Sequence, residues 1–309
     1  MSDIKLFRTL PNSVEELTPK SAKLEKELQK QIETNMDTFL SIRFLATEFS
    51  TSNGGRIDSL GLDENGCPVI IEYKRHSNEN VINQGLFYLD WLLDHKADFQ
   101  LLVMSKLGND MATTIEWFGA RLICIASDFN RYDEYAIKQI DRNIELMRYK
   151  YFSDDLLLLE LVNTQVSSKP ADLINNAAEK LPETKKNQAY DWTLDKAKSQ
   201  SGTELMSLFN EICSYVESLS DDVTRKDLKL YTAFKRIKNI ACVSLVPNKD
   251  PRVVMWLKLN PDNVHLEKGF TKDVRNIGHW GTGDLEVEVR DAEQLERAKQ
   301  LLLKSFEEA

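Results

Sequence analysis

Cysteine, histidine and long apolar runs are all scarce in this chain of 309 residues. The four cysteines, Cys67, Cys124, Cys213 and Cys242, form no CxxC pair. That argues against a zinc ribbon or a disulfide framework and fits a reducing compartment. His76, His95 and His265 show no metal-ligand spacing and read as ordinary polar residues. No run reaches the roughly 18 apolar residues of a membrane span, and the opening MSDIKLFRTLPNS has no apolar signal core. The expectation is a cytoplasmic protein without a membrane partner. An excess of positive charge is missing too: 40 Lys+Arg stand against 49 Asp+Glu, for a net charge of -9. This excludes a uniformly basic nucleic-acid coat protein but not a local basic groove. Internal repeats are absent as well.

What is present is ample material for packed cores, with 42% hydrophobic and 29% charged residues. Apolar spacing of three and four at Leu24, Leu28, Ile32, Met36, Phe39 and Leu40 predicts a helix within 20–46. Strands are predicted at 44–50, 56–62 and 68–74, the last two joined at an Asn65-Gly66 corner. A helix over 79–95, capped by Ser77 or Asn78, follows. Beyond it the pattern predicts a strand at 99–104, a helix at 110–118, a strand at 121–126, a helix at 132–139, and strands at 144–152 and 156–162. Strands alternating with helices indicate an α/β layered domain over residues 1–163. Residues 164–190 are polar, with two prolines, and read as a linker. Residues 191–309 read as a smaller α+β domain. Its helices are expected at 203–219, 224–236 and 295–306, and its strands at 241–246, 253–259 and 286–289.

Three residues on the 56–74 hairpin carry chemistry: Asp58, Glu72 and Lys74. Side chains alternate along a strand, so Glu72 and Lys74 share a face and Tyr73 points away. Val69, Ile70 and Ile71 mark that strand as covered, and a charge buried there unpaired is costly. Two carboxylates converging at a sheet edge, Asp58 and Glu72, can ligate a hard divalent cation, Mg2+ or in its place Mn2+. Lys74 can position a water or stabilise charge on a phosphoryl group.

Arg56-Ile57-Asp58 followed by Glu72-Tyr73-Lys74 resembles the PD-(D/E)XK nuclease superfamily. The longer string GGRIDSLGLDENGCPVIIEYKR is similar to its branch of NucS-type endonucleases. Gln84 and Tyr88 form the Q-x-x-x-Y pattern seen downstream of E-x-K in RecB-like members, at i and i+4 of a helix. Glu25, with Leu28, Ile32 and Asn35, resembles the first-helix element in which a Glu joins the site, and Glu48 competes for that role. The resemblance spans residues 20–160. It implies a restriction-endonuclease-like mixed sheet flanked by helices and a Mg2+-dependent nuclease acting on nucleic acid, DNA above all. A homodimer would suit cleavage of both strands. Tyr231-x-Ala233-Phe234-Lys235 and the string GHWGTGD at 278–284 resemble a small domain of uncharacterised function that ends such proteins, sometimes described as a predicted transport protein.

Blander readings stand beside these. Glu72 and Lys74 can form a surface ion pair, Asp58 can serve a turn, and Gln84, Tyr88 and Glu25 can be ordinary helix residues. Arg225, Lys229, Lys235, Arg236 and Lys238, interleaved with Tyr231 and Phe234, can grip a phosphate backbone, or can be the solvated face of a helix. GHWGTGD is either a ligand-binding turn or a structural one, and it lacks the Lys-Ser/Thr ending of a P-loop. Two non-enzymatic classes also remain: a nucleic-acid-binding module and a protein-interaction adaptor.

Overall fold

The computed structural model describes residues 4–22, 24–75, 81–167 and 192–309. The expected caps Ser77 and Asn78, His76, and most of the expected linker lie outside them. The chain divides into two compact units, Met1–Lys169 and Pro170–Ala309. No helix among the described residues is long and apolar enough to cross a membrane.

The first unit opens with strands β1 (Leu6–Leu10) and β2 (Ser13–Leu17), a separate two-stranded sheet, and the short β3 (Pro19–Lys20). Helices α1 (Glu25–Thr34) and α2 (Met36–Leu40) follow. The single expected helix is thus split at Asn35. It ends at Ser41, which takes a left-handed conformation (φ 53°) and releases the chain into strand β4 (Ile42–Ser50). Strand β5 (Arg56–Asp63) and strand β6 (Pro68–Lys74) form the expected hairpin. Its corner is built by Asp63, whose Oδ1 accepts from the amides of Asn65 and Cys67, both at 2.8 Å, and by Gly66 at φ 77°.

Helix α3 (Val81–Asp94) then crosses the sheet. A Cβ on its Gly85 would lie 2.4 Å from the Leu122 side chain, so the bare glycine lets α3 sit close on the strands. Residues 99–104, expected as a strand, belong instead to helix α4 (Lys96–Leu107). Phe99 and Val103 are buried while Gln100, Leu101 and Met104 are exposed, a spacing of four that the short run FQLLVM conceals. The helix expected at 110–118 is reduced to α5 (Asn109–Thr113) and a 3-10 turn at Trp117–Gly119. Strand β7 (Arg121–Ala126), helix α6 (Arg131–Ile137) and strands β8 (Asn143–Phe152) and β9 (Leu156–Gln165) complete the unit.

These strands make one mixed seven-stranded sheet. β5 pairs antiparallel with both β4 and β6, β6, β7 and β8 run parallel, and β9 returns antiparallel along β8. Its central strands are covered: β6 is buried from Pro68 to Tyr73 and β7 along its whole length. A core including Ile70, Leu122, Cys124, Leu89, Leu92 and Phe99 packs α3 and α4 onto the sheet. The fold class is the expected mixed α/β sheet flanked by helices.

The second unit contains α7 (Leu194–Gln200), α8 (Thr203–Ser218), β10 (Thr224–Asp227), β11 (Thr232–Lys235), β12 (Asn239–Val246), β13 (Arg252–Leu257), β14 (Thr271–Asp273), β15 (Leu285–Val289) and α9 (Ala292–Glu308). Its sheet is antiparallel, in the order β10-β11-β12-β13-β15-β14. Residues 224–236 are not the expected helix but the hairpin β10–β11, with Arg225 opposite Phe234. Leu228, Tyr231 and Phe234 mimic a helical spacing of three because a turn, closed by Leu228 N–H to the Tyr231 carbonyl at 2.8 Å, separates them. On the sheet, Val243, Leu245, Met255, Leu257 and Val287 pack in one core with Phe209, Ile212, Leu295 and Leu302 of α8 and α9.

Candidate active site

The ladder between β5 and β6 stops at Ser59–Ile71, although both strands continue, to Arg56 and Lys74. The next pair in register would be Asp58 and Glu72. Their side chains replace the missing ladder bonds reciprocally. The Asp58 amide donates to Glu72 Oε1 at 3.1 Å, and the Tyr73 amide donates to Asp58 Oδ2 at 3.1 Å. From there β6 pairs with β7 alone, Glu72 beside Cys124 and Lys74 beside Ala126. Two carboxylates therefore occupy the fork where the strands part.

The Asp58 carbonyl, left without a β6 partner, accepts from Gln29 Nε2 of α1 at 2.9 Å. The same amide group reaches Glu33 at 3.0 Å and Thr47 Oγ1 at 3.3 Å. Glu33 in turn accepts from Ser59 Oγ at 2.6 Å, and Ser59 Oγ lies 3.2 Å from the Tyr73 hydroxyl. Tyr73 thus points away from Glu72, as strand alternation requires. This buried polar chain behind the fork was not anticipated from sequence. Its signal was the stripe Glu25, Gln29, Glu33, spaced by four on one helix face.

Glu72 is fully buried, and its Oε2 has no hydrogen-bond partner. Burial first, and then the negative charge of Asp58, push its carboxyl up to about 9. Asp58 is raised by burial too. The Tyr73 amide and Lys74 pull it back, while Glu25 and Glu48 push it further up. Lys74, mostly buried, reaches Glu25 Oε1 at 3.5 Å, and Glu25 Oε2 accepts from the Arg75 amide at 3.2 Å. Glu48 lies between Thr47 and Phe49, which pair with Ser59 and Ile57, so it stands across the ladder from Asp58. It adopts φ 51°, a strained value for a side chain of this size, and pairs with Arg56 at 2.6 Å. Both competing carboxylates, Glu25 and Glu48, thus act electrostatically on Asp58.

Gln84 and Tyr88 meet as their spacing predicts, with Gln84 Nε2 3.4 Å from the Tyr88 hydroxyl. That hydroxyl accepts from the Arg56 amide at 3.1 Å. A Cβ on Gly55 would fall 2.3 Å from the Tyr88 ring. The pair therefore pins the start of β5, two residues before Asp58. The basic residues of the second unit share no helical face. Arg225 pairs with Glu217 and Asp227, both at 3.6 Å, and Arg236 with Asp222 at 2.7 Å. Lys229 and Lys238 sit in turns and Lys235 ends β11.

Among the described residues, no group of three or more His, Cys, Asp or Glu is arranged to hold a metal. The donor set at the fork is the pair Asp58 and Glu72. A cation such as Mg2+ keeps several waters and needs only one or two carboxylates from a protein. A buried carboxylate oxygen without a partner is the other half of such a site. The pair fits the ion.

Comparison with known proteins gives three kinds of likeness. Residues 193–309 match the family described as "Domain of unknown function (DUF5655)". Along its whole length the chain is similar to an uncharacterised protein of Haemophilus influenzae (strain ATCC 51907 / DSM 11121 / KW20 / Rd). The two are 29% identical over 311 residues, covering 99% of this chain and 100% of that protein. Two solved structures are similar over 42% of this chain, each at 17% identity. One is a repair endonuclease from Pyrococcus abyssi (TM-score 0.29, 49% of its chain covered). The other is an EndoMS–dsDNA complex (TM-score 0.26, 47% covered). The chain spans about half the length of these solved structures.

Proposed function

We propose that the first unit is a metal-dependent nuclease that hydrolyses phosphodiester bonds, with DNA as substrate. The observation that carries this reading is the fork. Two carboxyls there clamp each other's strand, one keeps a buried oxygen without a partner, and a lysine follows two residues later on the same face. A fold gains no stability from a buried acid facing a half-buried one, so we read the arrangement as prepared for a ligand that supplies positive charge.

In this reading Asp58 and Glu72 hold Mg2+ or Mn2+. When bound, such an ion would supply charge neutralisation at a phosphoryl group and would acidify water there. The protein's own groups do the positioning. The two backbone amides fix one oxygen of each carboxylate. Lys74, steered by Glu25, presents its ammonium toward the phosphoryl oxygens, where it stabilises the charge that grows as water attacks phosphorus and the sugar oxygen leaves. Gln29 holds the Asp58 backbone, and Tyr88 with Gln84 holds the strand entering the site. A homodimer would set one such site against each strand of a duplex.

The test is cleavage of labelled single-stranded, duplex, flap and mismatched DNA, and of RNA, with Mg2+ or Mn2+, beside Glu72→Ala. Metal-dependent cutting by the wild type that disappears in the variant is the expected result. Equal cutting by both, or none on any substrate, would reject the reading in favour of a nucleic-acid-binding module.

A further inference from the structure

The two large sheets end in the outer strands β4, β9, β10 and β14. Three of these edges are blunted. β4 carries Arg43 and the left-handed Glu48, and its register with β5 shifts between Phe44 and Ala46. β10 is the four residues Thr-Arg-Lys-Asp, and β14 the three residues Thr-Lys-Asp. Charge, irregular register and short length each keep an edge from pairing with another chain.

β9 lacks these guards along its first half. It is ten residues long and opens Leu-Leu-Leu-Leu-Glu-Leu, from Leu156 to Leu161. Its ladder with β8 is regular over that stretch, and among the described residues no strand pairs with its other side. Leu156 is exposed and the rest of the strand is half-buried. The one charge in the run, Glu160, is held by Arg148 Nη1 at 3.0 Å. Helix α6 is tied to the far end of the strand, where Asn163 Nδ2 donates to the Glu134 carbonyl at 3.2 Å. Leu157, Leu159 and Leu161 stand opposite Tyr151, Tyr149 and Met147, of which Tyr149 and Met147 are buried. The apolar interior therefore continues to the last strand and stops at a row of open backbone groups.

We propose that β9 is a self-association surface: a second copy of the chain adds its own β9, antiparallel, about a two-fold axis normal to the sheet and centred on Leu159. Such an axis sets Leu159 against the partner's Leu159, Leu157 against the partner's Leu161, and Leu161 against the partner's Leu157. These leucine pairs lie on one face and join the cores around Tyr149 and Met147. On the other face Glu160 meets the partner's Leu158 and keeps its own Arg148. Centring the axis on Glu160 would place two like charges directly opposite each other, which is destabilising. Centring it on Leu158 would set Leu161 against the partner's Asp155. One register is favoured, and an identical strand satisfies it at every apolar position. The sequence that follows, 164–190, is polar with two prolines and suits a leucine edge poorly. An isologous pair also closes on itself, so no edge remains at β9 for a third chain. The proposal gives a surface to the homodimer raised above but does not rest on the nuclease reading.

The test uses the full chain. Light scattering after gel filtration should give the wild type twice the mass of one chain. Leu159→Lys sets two ammonium groups opposite each other and should raise the dissociation constant about a hundredfold or more. Cysteine variants keep the proposal testable if that protein fails to fold, because all four native cysteines are buried. Under mild oxidation Leu159→Cys should form an intermolecular disulfide. Leu157→Cys alone should not, since its two copies would stand about 13 Å apart along the strands, beyond the reach of a disulfide. Leu157→Cys mixed with Leu161→Cys should give a cross-linked heterodimer. A dimer that persists in Leu159→Lys, or equal cross-linking of Leu157→Cys and Leu159→Cys, would overturn the proposal. So would a wild type that stays a single chain while Leu159→Cys remains uncross-linked, which would assign the edge to a strand of another protein. Glu72→Ala should dimerise as the wild type does, so loss of cleavage and loss of self-association are told apart.

Discussion

The two ends of the β5–β6 hairpin both carry buried acids, and they are solved in opposite ways. At the corner, Asp63 and Glu145 flank Arg121, all three buried. Arg121 Nε lies 3.1 Å from Glu145, and its Nη1 contacts Asp63. Burial alone would pull that guanidinium down, but Glu145 and Asp63 outweigh it and hold the charge. At the fork, Asp58 and Glu72 face each other, with Lys74 already engaged by Glu25. At the corner each acid contacts the shared guanidinium; at the fork the charge of Asp58 instead pushes Glu72 up. The corner serves the fold, because removing Arg121 would strand its buried carboxylates. The fork costs stability, and such a cost is retained where a ligand offsets it.

The largest effect should separate the two ends by activity. Asp58→Asn and Glu72→Gln should each lower metal-dependent cleavage by about 10³-fold or more, as loss of a group that stabilises transition-state charge does. Arg121→Met, assayed per folded molecule by circular dichroism, should cut at close to the wild-type rate; a loss as deep as that of Glu72→Gln would erase the distinction.

Stability should invert the order. Arg121→Ala should lose about 3–5 kcal/mol in urea unfolding, the cost of leaving buried carboxylates unpaired. Glu72→Gln in the same titration should be as stable as wild type or more so, and a large loss there would make the fork a structural element.

The pH dependence sharpens the contrast. The folded, metal-free protein holds the Glu72 proton up to about pH 9, whereas the ordinary value is 4.5. Between these values unfolding releases a proton, so stability declines as pH rises through the window. Melting curves in EDTA from pH 5 to 9 should show this fall, and Glu72→Gln should flatten it. An equally steep fall in the variant would assign the slope to other groups.

The smallest effect concerns Tyr88. Tyr88→Phe removes two hydrogen bonds, one from the Arg56 amide and a longer one from Gln84 Nε2, and should cost about 0.5–1.5 kcal/mol for each. It should reduce cleavage only mildly, because the ring still fills the space beside Gly55. A loss equal to that of Glu72→Gln would place Tyr88 in contact with substrate.

Much of this fold could be read from sequence because the hairpin 56–74 carries two clear signals, an Asn-Gly corner and a covered Val-Ile-Ile run. The same signals put Asp58 and Glu72 in register, which is why the candidate site was legible. The failures share a cause. In 99–104 and 224–236 a short apolar pattern fits both periods, and only the packing of Phe99 with Val103, or the turn at 228–231, decides between them. The roles of Gln29 and Glu33 were hidden for another reason. Their partners, the Asp58 carbonyl and the Ser59 hydroxyl, are adjacent on β5 but 29 and 26 residues further along the chain. The hairpin β1–β2 gave no signal that was recognised, and the charged stretch after Arg225 looked cationic because its counter-ions, Glu217 and Asp222, stand on neighbouring segments.

The break in the β5–β6 ladder also makes the site spectroscopically visible. The amide protons of Asp58 and Tyr73 each point at a carboxylate oxygen of the other strand rather than at a carbonyl. Their nitrogen and proton resonances will therefore move with the charge on those oxygens. Two backbone signals, free of any label, can follow proton release or cation arrival at the fork, and each reports on one acid.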